Sequence, residues 1–371
     1  MIKKITVILL LFLLFTFNIS AAETDLYKDQ LEAGGVNGLY DSLPPETEKY
    51  LNDFSIDINN SDWVNALSAE NAFLHILKFI KEGALAPLKA FGIILALIFL
   101  NAVIHGALSN DIQNTVSYVM VLAVSFALLS PIYSVITASV DTLKGCSYFM
   151  TAFVPVFAAI LSAAGKPLTS ASMSGVLLLA ANTVTYIASF AIIPLMCGHL
   201  SLSIATTVSP LLQDTNLAES LKKLSFWIMG IISTVFIGIL SIQTAVNASA
   251  DSLSLKTAKF IVGSTVPVAG GVLSEALATV TASLSLLKSS VGIWGVLVCA
   301  ITFLPLIIEL LLWRVCMWGL SFFTSAFSLS KITNLLKSVD SVLSVLVGIV
   351  LLTSAMFIIS LTVVIIGGKS G

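Results

Sequence analysis

The sequence predicts an all-α polytopic membrane protein with about 8–10 transmembrane or re-entrant helices, an internal repeat and a small acidic extracytoplasmic N-terminal region. Composition is the first observation. Of 371 residues, 57% are hydrophobic and 10% charged, and the mean hydropathy is +1.02. A soluble domain carries about 25% charge, so this chain cannot cover its surface with water-seeking groups. The second observation is where the charge sits. Residues 23–82 hold 12 of the 20 acids, and residues 83–371 hold only eight. The third is a run of apolar stretches, most as long as the roughly 20 residues that cross ~30 Å of hydrocarbon. A net charge of −2 argues against a nucleic-acid partner. The lipid bilayer is the expected environment.

Residues 1–22 read as a secretory signal peptide. Lys3 and Lys4 precede an uncharged apolar core, Ile5 to Phe17, and Ser20-Ala21-Ala22 offers small residues for cleavage before Glu23. The acidic region 23–85 is then expected outside the cytoplasm. It opens with turn-rich sequence, Gly34-Gly35, Asn37-Gly38 and Leu43-Pro44-Pro45-Glu46. Beyond Asp62, a plausible N-cap, Trp63, Leu67, Phe73, Leu74, Leu77 and Ile80 recur near a helical period. The pattern fits an amphipathic helix on the membrane surface or an ordinary helix of a small core.

Apolar stretches follow at 87–108, 115–137, 147–164, 173–197, 225–247, 260–277, 291–312 and 342–366, with shorter ambiguous pieces at 199–212 and 314–330. Residues 86–145 carry the first two spans. The rest divides into two related units, 146–255 and 258–370. Val154-Pro155-Val156 recurs as Val266-Pro267-Val268, Pro194-Leu195 as Pro305-Leu306, and Leu221-Lys222 as Leu336-Lys337, in the same order. Basic residues do not choose between parallel and inverted repeats.

Pro- and Gly-interrupted segments at matching places in two halves point to a central cavity or conduit in transporter-like folds. Pro155, Pro267, Gly270 and Gly271 are the candidates here, with Glu275 at the end of the second segment. Plain helix packing is the alternative. Glu309 lies inside an apolar run and is a functional candidate because burying its charge is costly; the sole arginine, Arg314, follows five residues on. Asn101 and His105, four apart on one helix face, are expected to hydrogen-bond to a neighbouring helix, as are Asn182, Gln243 and Asn247. Cys146, Cys197, Cys299 and Cys316 form no C-x-x-C pair and read as buried small hydrophobes.

No catalytic pattern survives inspection. Gly368-Lys369-Ser370 resembles the end of a phosphate loop, but Val363 stands where its first glycine belongs. Three Ser-x-x-Lys matches lack companion motifs. No cofactor or metal site is expected, the protein is read as non-enzymatic, and its driving force must come from a gradient or a partner.

The whole pattern resembles the stage III sporulation protein AE family of endospore-forming bacteria. The likeness rests on the signal, the acidic segment with Leu43-Pro44-Pro45-Glu46, and the charge-poor domain with Phe153-Val154-Pro155-Val156 and its echo. The resemblance implies a membrane component of the mother cell–forespore channel, a secretion-like complex, in which this chain would be the transporter-like or export-gate part. It implies residence in the outer forespore membrane, and partners that include a secretion-type ATPase and intermembrane ring proteins. It supplies no active-site residues. A stand-alone secondary transporter with pseudo-symmetric halves is the alternative reading.

Overall fold

The computed structural model describes residues 31–32, 34–59, 69–107, 110–164, 166–187, 190–191, 193–208, 219–242 and 270–367. The signal segment, Trp63, Leu67, Gln243, Asn247 and Pro267 lie outside them. Every regular element among the described residues is helical. After a 3-10 turn, Val36–Ser42, come α1 (Pro45–Asp53), α2 (Ala69–Gly83), α3 (Leu85–Ala107), α4 (Asn110–Ala163), α5 (Pro167–Ile187) and α6 (Ile193–Val208). Then follow α7 (Glu219–Ile242), α8 (Gly270–Ala326) and α9 (Ser330–Gly367). Among the described residues five helices, α3, α4, α7, α8 and α9, are long and apolar enough to cross a membrane.

The division into spans differs from the expectation. The stretches 115–137 and 147–164 lie on one helix, α4, of 54 residues. Likewise 291–312 and most of 314–330 belong to α8, of 57 residues. At 1.5 Å per residue these helices measure about 81 and 86 Å. Asp141 and Lys144 lie between the first two stretches, but a charged side chain breaks no backbone hydrogen bond. Pro131, Pro155 and Pro305 also sit inside unbroken helices. Conversely, the stretch 173–197 is divided between α5 and α6.

Side-chain pairs fix the directions. Phe157 meets Gly292, Phe153 meets Gly295, and Cys146 meets Cys299, so α4 runs antiparallel to α8. Ile365 meets Gly292 and Phe357 faces Phe303, so α9 is antiparallel to α8 as well. Helix α3 runs alongside α8 in the same direction, with Phe91 against Gly319 and Phe99 near Phe323 and Phe327. Lys331 Nζ lies 3.4 Å from the centre of the Tyr118 ring, a cation–π contact that joins the starts of α4 and α9.

Close approach along α8 depends on two glycines. A Cβ at Gly295 would come 2.5 Å from Phe153 Cζ, and one at Gly292 would come 2.6 Å from Ile365 Cγ1. Only hydrogen fits at either site. The α8–α9 hairpin turns through Ser328 at φ 58. Leu329 N donates to Thr324 O (2.9 Å) and Ser328 N to Ser325 O (3.1 Å), which closes the last carbonyls of α8.

Residues 31–59 have no core of their own. Leu31, Val36, Leu39, Leu43, Leu51, Phe54, Ile56 and Ile58 are buried in the same apolar cluster as α4, α8 and α9. So short a segment cannot bury enough apolar area alone, and it borrows the wall of the bundle. Gly295→Ala should destabilise the detergent-solubilised protein by about 1–3 kcal/mol, the usual cost of overpacking a core. Thermal unfolding checks this; an unchanged midpoint would show that the Phe153 ring moves aside freely.

Candidate functional site

The N-terminal segment meets α4 and α8 at one level, and the chain order there explains how. Gly35 takes φ 71, a left-handed turn suited to glycine, and starts the 3-10 turn. Pro44 is extended and Pro45 occupies the first turn of α1 with Glu46 and Glu48, where carboxylates suit the positive helix end. Pro44 Cγ sits 3.1 Å from where a Gly145 Cβ would stand, so α4 offers a notch to the proline. Tyr40 packs on Trp294 with ring centres 5.5 Å apart. Thr302 Oγ1 donates to Val298 O at 2.7 Å. Its one proton is thereby used, so the buried 2.9 Å contact with Thr47 Oγ1 is donated by Thr47.

A second set of contacts ties the segment to α2. Tyr50 OH donates to Glu82 Oε2 at 3.0 Å. Burial first, and that bond next, push the Tyr50 phenol well above its ordinary range. Lys78 Nζ donates to Asp53 Oδ2 at 2.6 Å, which holds the Asp53 carboxyl below its usual value. His75 lies on the Phe54 ring with centroids 3.5 Å apart. Burial, then the charge of Lys78, lower its imidazole pKa. On the far side of α2, Phe73, Leu74, Leu77 and Ile80 are exposed, while Phe79 is buried.

Pro155 and Glu309, the two conduit candidates whose side-chain surroundings are described, do not meet. Pro155 is on α4 and exposed. Gly270 and Gly271 open α8 and Glu275 follows in its first turns; their side-chain surroundings lie outside the described residues. Glu309 is half-buried on α8, with Gly83 packed at 3.6 Å from its Cα and Cβ. Because Gly292 lies beside Phe157 and Gly295 beside Phe153, the Pro155 level and Glu309 are roughly 15 residues apart on α8, about 23 Å.

Arg314 pairs away from Glu309, as their five-residue spacing on one helix favours. It forks onto Asp340 across the hairpin, Nε to Oδ1 at 2.8 Å and Nη2 to Oδ2 at 3.4 Å, because facing positions on α8 and α9 lie closer than five residues along one helix. Asn101 is fully buried, yet neither side-chain atom has a hydrogen-bond partner among the described residues. For His105 only the helical backbone is described. Asn182 donates to Leu178 O of its own helix (2.9 Å) instead of bridging helices. Sequence reasoning missed the Thr47–Thr302 and Arg314–Asp340 pairs and the notch at Gly145. All join residues far apart in the chain, and no local spacing signals them. Among the described residues no group of three or more His, Cys, Asp or Glu could hold a metal ion.

Apolar helices long enough to cross lipid, a charge pair held between two of them and an N-terminal segment fastened to their flank define a multi-pass helical membrane protein. The sequence profile of the stage III sporulation protein AE family matches residues 56–368. Stage III sporulation protein AE of Bacillus subtilis (strain 168) is 29% identical over 273 residues, 71% of this chain and 66% of that relative. No solved structure matches. The chain belongs to the stage III sporulation protein AE family and is a sporulation membrane protein.

The contacts between α1 and α2 carry a pH dependence of definite sign. His75 and Asp53 both titrate lower in the folded chain. Each stabilises the fold above its unfolded pKa, near 6.5 for His75 and 3.8 for Asp53, and loses that contribution as pH falls towards the folded value. The protection factors of the α1 and α2 amides, which divide out the base-catalysed intrinsic rate, should therefore fall first below about pH 6.5 and again below about pH 4. His75→Gln should remove the first step and leave the second; a His75→Gln profile matching wild type would refute the assignment.

Proposed function

We propose that this protein is a non-enzymatic integral membrane component of the mother cell–forespore channel required for endospore formation, and the transporter-like or export-gate part of that secretion-like complex. Membership of the stage III sporulation protein AE family carries this reading, and five apolar helices of spanning length support it. On this reading the protein resides in the outer forespore membrane with residues 23–85 extracytoplasmic. Its partners are a secretion-type ATPase, which supplies the work, and intermembrane ring proteins. The exposed apolar face of α2, Phe73, Leu74, Leu77 and Ile80, then rests in the outer leaflet, continuous with exposed Leu85 and Leu88 of α3. The internal repeat over 146–255 and 258–370 is part of the same proposal, as is a conduit involving Glu309.

A deletion strain should grow normally in vegetative culture and stop sporulating after engulfment, and affinity capture from sporulating cells should retain the ATPase and ring proteins. A nutrient-uptake defect with normal spores would favour a stand-alone transporter instead. Glu309→Gln should lower spore yield at unchanged protein level if the carboxylate lines the conduit. Full spore yield would remove Glu309 from it.

A further inference from the structure

Two cysteines 153 residues apart in sequence face one another inside the junction just described. Cys146 Sγ of α4 lies 3.8 Å from Cys299 Sγ of α8, and both residues are fully buried. Met150 Sδ, one turn along α4, is 4.0 Å from Cys299 Sγ. The surroundings are apolar: Phe149 lies 5.9 Å from Trp294, ring centre to ring centre, and Phe153 stacks beyond Phe149. The pair also neighbours the two places where the N-terminal segment is held. Gly145, the notch for Pro44, adjoins Cys146, and Thr302, the partner of Thr47, is three residues from Cys299.

We propose that Cys146 and Cys299 form a disulfide that ties α4 to α8 beneath the N-terminal segment. The two sulfurs already touch, and bonding requires a closure of about 1.8 Å to the ~2.05 Å bond length. In the thiol form the contact is at best a weak S–H···S interaction. In the disulfide form it is covalent and neutral. The pair is also two ligands short of a zinc site, and among the described residues no group of three or more His, Cys, Asp or Glu could complete one. Two thiolates on a monovalent soft ion would leave a net negative charge among Phe149, Met150 and Trp294, none of which can balance it.

The oxidation removes one proton from each thiol and two electrons from the pair. A disulfide donor of the extracytoplasmic thiol–disulfide oxidoreductase class takes up the electrons and protons and becomes a dithiol. Since neither sulfur is accessible in the folded chain, the exchange precedes closure of the N-terminal segment over the junction. The need for such a donor rests on the extracytoplasmic placement of that segment.

The test uses the full-length protein from sporulating cells, quenched in acid, denatured and alkylated with a maleimide before and after reduction. The expected result is two labelled thiols before reduction, Cys197 and Cys316, and four after it. A peptide linking residue 146 to residue 299 should appear in the unreduced digest. Cys146→Ser and Cys299→Ser should each label at all three remaining cysteines without reduction. Four labelled thiols in the unreduced wild-type protein would overturn the proposal, even if diamide later closes the bond in purified protein. So would four free thiols together with one equivalent of copper or zinc. A separate Asn52→Cys chain probed with a membrane-impermeant maleimide reports the side of the N-terminal segment, so a missing bond is distinguished from a misplaced segment.

Discussion

Helix α8 has to satisfy α9, α4 and the N-terminal segment at once, and the means is the absence of side chains at Gly292 and Gly295. With nothing but hydrogen there, the rings of Phe153 and Phe157 and the end of Ile365 reach the α8 backbone. That approach brings Cys146 to Cys299 and exposes the α8 wall on which Tyr40 and Thr47 rest. Small residues serve this purpose in membrane helices generally, because lipid gives apolar side chains no hydrophobic reason to leave it and packing must supply the attraction.

Charge is handled by the same geometry. Arg314 and Asp340 would each be costly alone at membrane depth, and the antiparallel hairpin places them in a two-bond fork. The polar contacts of the N-terminal segment lie instead at its margin with α2, where Asp53 and Lys78 remain partly exposed. Surface pairs of that sort are individually weak, so the segment is held chiefly by the apolar residues it buries.

The helical membrane class was legible because apolar stretches this long have few other outcomes. The amphipathic pattern of α2 was legible too, although the structure turns most of that stripe outward and seats Phe79 on the N-terminal segment. Boundaries were harder. The stretches 115–137 and 147–164 are separated by nine residues that include Asp141 and Lys144, yet helix continuity is set by backbone geometry, which those residues respect. The junction was invisible for a different reason. Thr47, Gly145, Trp294 and Thr302 are unremarkable singly, and only three-dimensional proximity makes them a unit. Glu309 was found by its oddity in an apolar run, but its surroundings, Gly83 above all, came from a part of the chain that hydropathy assigns elsewhere.

Helices of 54 and 57 residues carry a geometric consequence. A bilayer houses about 20 residues of an upright helix, so α4 and α8 each have roughly 35 residues left over even if they stand straight. Much of that surplus is as greasy as the portion in lipid, and water is a poor solvent for it. Steep inclination, or cladding by adjacent polypeptides, must shelter the excess. A lone copy standing upright has to cover that excess with its own chain, as residues 31–59 do where they lie against α4 and α8.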